Sequence, residues 1–123
     1  MSLDARAIVT RYLDLVATAR SGADIAALYA ADATVEDPVG APVRRGTDEI
    51  AAFYEVLAGR ERRTELLALR AAGAEAAFSF RVVSGSGAEQ SPIEPIDVMT
   101  FDEEGRITSM RAFWSPADVQ RGA

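Results

Sequence analysis

Proton chemistry has few possible carriers in this chain. The sequence holds no His and no Cys, and all 13 of its basic residues are Arg. Ser-His-Asp and Cys-His nucleophiles, disulfides and most zinc sites are therefore excluded. A lysine Schiff base is excluded too, which leaves the N-terminus as the only amine. Acid–base work must run on carboxylates and on three tyrosines. Asp97 is the oddest of the carboxylates. In Pro95-Ile96-Asp97-Val98-Met99-Thr100-Phe101, period two puts it on one face with Pro95, Met99 and Phe101. A carboxylate on an apolar face must pair or take up a proton. An ion pair with Arg81 or Arg111 is the plainer of those outcomes. Asp37 stands at the end of a short extended run beside Pro38. Loop-edge positions hold catalytic groups, and they also hold simple turn aspartates. Tyr12, Tyr29 and Tyr54 each fall on the apolar side of a different predicted helix. They are either ordinary core residues or hydroxyls that converge.

The elements that must position these residues follow from periodicity. Ile8, Tyr12, Leu15, Val16 and Ala19 recur at helical spacing. Ser21-Gly22-Ala23-Asp24 matches a capping box and opens a shorter helix through Ile25, Leu28 and Tyr29. Ala33 to Asp37 predicts a short strand ended by Pro38, and Val39 to Gly46 predicts a loop. Thr47 is the expected N-cap of a third helix carrying Ile50, Phe53, Tyr54 and Leu57, with Asp48 and Glu49 in its first turn. From Thr64 the period changes to two. Ala76 to Val82 alternates, Ser84-Gly85-Ser86-Gly87 predicts a hairpin turn, and Ile93 to Phe101 predicts a strand. Asp102-Glu103-Glu104-Gly105 closes a second hairpin, which leads into a last strand from Arg106 to Trp114. Three helices and about four antiparallel strands make an α+β fold, a curved sheet with helices on one face.

Composition narrows the function further. A chain of 123 residues, 49% hydrophobic and 26% charged, predicts one globular domain over residues 1–123. Its net charge of −6 argues against nucleic acid or an anionic membrane surface as partner. The Arg groups Arg44–Arg45 and Arg60, Arg62 and Arg63 are expected to be solvated loop or helix-end charges. Met1-Ser2-Leu3-Asp4 lacks a basic start and an apolar stretch, and no run approaches the roughly 20 apolar residues of a membrane span. The expected location is the cytoplasm.

Three blocks carry a family resemblance. Arg11-Tyr12-Leu13, Tyr29 through Gly40 and Ile50-Ala51-Ala52-Phe53-Tyr54 resemble the bacterial steroid Δ5-3-ketoisomerases. Ile96 through Ile107, with Met110 and Trp114, resembles that family's C-terminal hairpin. The likeness runs nearly end to end and is weakest from Leu57 to Ala76. The segment Ala33–Asp37 is also similar to the wider NTF2-like superfamily, whose cystatin-like roll has a mixed or antiparallel sheet. By resemblance, Asp37 is the general base, and Tyr12 and Asp97 donate to an oxyanion. Tyr29 and Tyr54 are the tyrosines that support Tyr12. Phe53, Phe80, Val82, Met110 and Trp114 are the apolar positions of a steroid pocket. Val39 stands where some relatives carry a larger aromatic. The family is also a known case of a carboxylic acid kept neutral at pH 7 by an apolar site, which is the state the resemblance implies for Asp97. It further implies a small steroid substrate, no cofactor or metal, and a homodimer. A polyketide cyclase or epoxide hydrolase on the same fold, and a non-catalytic ligand-binding or dimerisation module, are the rival readings.

Overall fold

The computed structural model describes residues 4–85 and 91–119. Helix α1 spans Ala5–Thr18, and its N-cap Asp4 accepts a hydrogen bond from the Ala7 N–H at 3.0 Å. Such caps satisfy a donor that the helix itself leaves open. Its buried stripe is Ala5, Val9, Tyr12, Leu13 and Val16, while Ile8 and Leu15 flank it. Helix α2, Gly22–Ala26, starts as expected: Ser21 Oγ accepts from the Asp24 N–H.

Tyr29 departs from the helical expectation. Strand β1 runs from Tyr29 to Glu36 and pairs in parallel with β7, Ile107–Phe113. The helical spacing of Leu28 and Tyr29 gives way to this long-range ladder, because strand pairing is decided by partners remote in sequence. A register irregularity between Tyr29 and Thr34 lets both ends of β1 face inward. Gly46, at φ +87°, is the N-cap of α3, Thr47–Ala58, so Thr47 is the first helical residue rather than the cap. A conformation in that region suits a residue without Cβ. Arg44–Arg45 form a short strand, β2, against β1 inside the expected loop.

Strands β3, Arg62–Ala72, and β4, Glu75–Ser84, make a long hairpin. The turn expected at Ser84–Gly87 runs into residues outside the described ones. The strand expected from Ile93 to Phe101 is broken in two, β5 at Ser91–Ile93 and β6 at Ile96–Phe101. Both lie along the same edge of β4 in one continuous register. Pro95 lacks the N–H that an unbroken ladder would use, although its carbonyl still accepts from Phe80 N–H. The sheet order is β2-β1-β7-β6-β4-β3 with β5 on β4, seven strands in all. The architecture is thus a curved, open, mixed sheet with the three helices. The expected four antiparallel strands undercount it and omit the parallel β1–β7 pair. Val9, Ile25, Val35, Ile50, Phe78, Met99, Ile107 and Met110 fill the core.

Candidate active site

A cavity of about 730 Å³ opens between the helices and the inner face of the sheet, within the usual size for small-molecule sites. Tyr12, Asp37, Phe53, Tyr54, Phe80, Val82, Trp114 and Asp97 all line it. These come from α1, the end of β1, α3, β4, β6 and the segment after β7, so the topology gathers side chains that lie up to 102 positions apart (Tyr12 to Trp114).

The tyrosines converge as a linear ladder. Tyr29 and Tyr54 hydroxyls stand 2.6 Å apart, and those of Tyr54 and Tyr12 stand 2.8 Å apart. Tyr54 is therefore the middle rung, and Tyr29 reaches Tyr12 only through it. Burial pushes all three phenols well above their usual range, with neighbouring tyrosines and Asp97 adding to it. They stay protonated and able to donate.

Asp97 is 1% exposed. Arg81 and Arg111, the partners a plain ion pair would use, bridge instead to Glu94 at 2.9 Å and Glu36 at 3.0 Å. Asp97 Oδ1 is buried with no hydrogen-bond partner among the described residues. Desolvation, and then the charge of Asp37, hold its carboxyl well above the usual carboxylate range. The period-two argument thus placed it on the correct face.

Asp37 follows the last residue of β1, and its peptide bond to Pro38 is cis. Trp114 Nε1–H donates to its Oδ1 at 2.6 Å. Burial raises its pKa, while the Trp114 bond and the charge of Arg44 pull it back. Trp114 was expected as an apolar wall; its indole N–H is a second role that only the fold reveals. Arg44 is not a solvated loop charge either. Its guanidinium lies 5.3 Å from the Phe53 ring centroid, donates to Pro42 O, and lines the cavity.

One expected pocket residue, Met110, lies elsewhere, and so does Val39, the position where some relatives carry a larger aromatic. Met110 is buried in the core, and Val39 is exposed; neither lines the cavity. Tyr29 also stands behind the wall, as a supporting residue would. Val16, Leu57, Pro95, Ile93 and Val119 add to the lining, with Glu49, Ala52, Val56 and Ser84. No periodicity marks those as pocket rather than core positions.

Fold and site define a small α+β protein with a largely apolar pocket whose polar groups include the acid–base side chains Asp37, Asp97 and Tyr12. The SnoaL-like domain family matches residues 9–110. A protein of Nocardioides simplex named Steroid Delta-isomerase is 60% identical over 119 residues, 97% of this chain and 96% of the relative. A solved structure of SalBIII, described as an epoxide hydrolase/cyclase-like enzyme in pyran ring formation in polyether salinomycin, superposes with a TM-score of 0.85. It is 28% identical, with 95% of each chain covered. The chain belongs to the SnoaL-like, NTF2-like family and, within it, to the ketosteroid isomerases; it is an isomerase. Among the described residues no helix is long and apolar enough to cross a membrane.

Proposed function

We propose that this isomerase converts 3-oxo-Δ5-steroids to their conjugated 3-oxo-Δ4 isomers, with Asp37 as base and Tyr12 and protonated Asp97 as oxyanion hole. The observation that carries the reading is Asp97, a buried carboxyl whose Oδ1 has no hydrogen-bond partner among the described residues, on the wall of a cavity that also holds Tyr12 and Asp37. A β,γ-unsaturated ketone has an acidic C–H between carbonyl and alkene. Asp37 takes that proton and returns it two carbons along. A carboxylate suits this shuttle because the proton must leave again readily. Trp114 N–H holds the Asp37 carboxylate in place, and Arg44 offsets part of its burial.

The intermediate dienolate gathers negative charge on its oxygen. Neutral Asp97 and Tyr12 donate to that oxygen in a dry pocket, where hydrogen bonds stabilise developing charge more than in water. With Tyr12 donating to the ligand, Tyr54 donates to Tyr12 and Tyr29 to Tyr54, so the ladder supports the reacting hydroxyl. The set needs no cofactor or metal. Apolar Phe53, Phe80 and Val82 suit a rigid hydrocarbon skeleton.

We read residues 1–123 as one domain that pairs into a homodimer through the outer face of the sheet. Ile96 and Phe113 are neighbours on β6 and β7 there, 50% and 43% exposed.

The test is turnover of 5-androstene-3,17-dione by purified protein, followed by the ultraviolet band of the conjugated enone. Asp37→Asn is expected to lower kcat about 10²- to 10⁴-fold while steroid affinity is kept. A variant keeping a third of wild-type kcat removes Asp37 from the base role. An epoxide hydrolase/cyclase-like activity, favoured by the likeness to SalBIII, instead predicts turnover of an epoxide and no enone band.

A further inference from the structure

The C-termini of α1 and α3 share one cation, and neither helix supplies it. No basic residue stands in the last turn of either one. The final carbonyls of a helix lack intrahelical partners and carry the negative end of its dipole. Arg62, the first residue of β3, meets this need for both helices at once. Its Nε donates to Val16 O and its Nη2 to Ala19 O at the end of α1. Its Nη1 donates to Leu57 O at 2.8 Å and Arg60 O at 2.9 Å at the end of α3. Thr64 adds a bond from its Oγ1 to Leu13 O, so β3 holds the α1 backbone at two places. The arginine expected to be a solvated helix-end charge is thus a half-buried clamp on four carbonyls.

Two of the four clamped residues belong to the cavity. Val16 lies one turn beyond Tyr12 on α1, and Leu57 lies one turn beyond Phe53 and Tyr54 on α3; both side chains line the cavity. One turn is about 5.4 Å along a helix. A small ligand held at Tyr12 and Asp97 stops short of this region, whereas a long ring system reaches it. We propose that Arg62 is a specificity-determining residue: by holding the ends of α1 and α3 together, it sets the width of the cavity beyond the tyrosines and so favours long, rigid ligands. Arg62 acts through the backbones of Val16 and Leu57. The planar fork of the guanidinium is what lets one side chain reach carbonyls of two helices; an ammonium would hold fewer.

This inference rests on the isomerase reading for its substrates. The experiment compares wild type, Arg62→Met and Arg62→Lys on 5-androstene-3,17-dione and on a single-ring β,γ-unsaturated ketone, 3-cyclohexen-1-one. Thermal melts are run alongside. Arg62→Met is expected to raise KM for the four-ring substrate about tenfold, with kcat within twofold and both constants for the single-ring ketone unchanged. Arg62→Lys is expected to fall between. If Arg62→Met does not fold, a rise in KM of about threefold for Arg62→Lys, confined to the four-ring substrate, supports the clamp. A four-ring KM within twofold of wild type in the folded variants overturns it, as does an equal loss on both substrates. If wild type turns over neither ketone, the isomerase reading is what has failed. Calorimetric affinity for a four-ring steroid, expected to weaken about tenfold in Arg62→Met, then decides the clamp by itself.

Discussion

Two carboxyl groups in one cavity have unequal surroundings, and the proposed chemistry depends on that inequality. Asp37 keeps an indole N–H at 2.6 Å and a nearby guanidinium, whereas Asp97 Oδ1 is buried with no hydrogen-bond partner among the described residues. In the proposed chemistry the second group is the one that stays protonated, and the rise that burial gives its pKa has a consequence for stability. A carboxyl that binds its proton more tightly in the folded state contributes stability at low pH. That contribution is lost as pH rises from the unfolded pKa of about 3.9 toward the folded one. Asp97→Asn does not titrate, so it should match wild type near pH 4 and exceed it by a growing margin toward pH 7. The expected gain is about tenfold in the folding equilibrium per pH unit within that window, read from urea midpoints. A margin that does not change with pH means that Asp97 is ionised in the folded protein. The tyrosines rank by position in the ladder. Tyr12→Phe should cost on the order of 10²-fold in kcat/KM, as loss of an oxyanion donor does. Tyr54→Phe should cost less and Tyr29→Phe least, each being one bond further from the ligand. Steady-state kinetics showing Tyr54→Phe below Tyr12→Phe would reverse the order.

At the scale of elements, the tyrosine ladder joins α1, β1 and α3, and α2 packs against α3 beside it. Gly22, the first residue of α2, sits against the α3 backbone, where an added Cβ would meet Ala51 O at 1.9 Å and Glu55 N at 2.6 Å. Its own N–H donates to Glu55 Oε1 at 2.8 Å. Those neighbours are main chain and cannot swing aside. Gly22→Ala must therefore push α2 off α3, at a cost of about 3 kcal/mol, the upper range of overpacking. Urea unfolding followed by circular dichroism measures it; a change under about 0.5 kcal/mol, ordinary for a surface site, would show that the two helices separate freely. The N-cap at Ser21 could be read from its residues alone. The close approach that demands glycine one position later could not, since Ala51 and Glu55 are about 30 positions away.

For the whole molecule, Ile96 and Phe113 stand side by side on β6 and β7 with their side chains exposed. In the proposed homodimer these two residues lie in the interface, and a stable interface buries at least about 1,000 Å². Sedimentation equilibrium should give twice the 13.1 kDa chain mass. Phe113→Lys, placing a charge at the centre of the face, should shift the mass toward one chain. A monomeric wild type removes the dimer from the proposal.

The chain by itself determined the types of chemistry on offer and most of the frame. With no His, Cys or Lys, only carboxylates and phenols were left to move protons. Local periodicity placed α1, α3 and the inward face of β6, because those patterns depend on neighbours within a few positions. Asp97 was legible for that reason: Pro95, Met99 and Phe101 give its face away. The remaining features depend on partners far along the chain. Tyr29 belongs to β1 because Ile107 pairs with it, and Trp114 donates to Asp37 across 77 positions. Arg62 and Arg63 look alike in sequence. Only the meeting of two helix ends beside Arg62 turns one of them into a clamp.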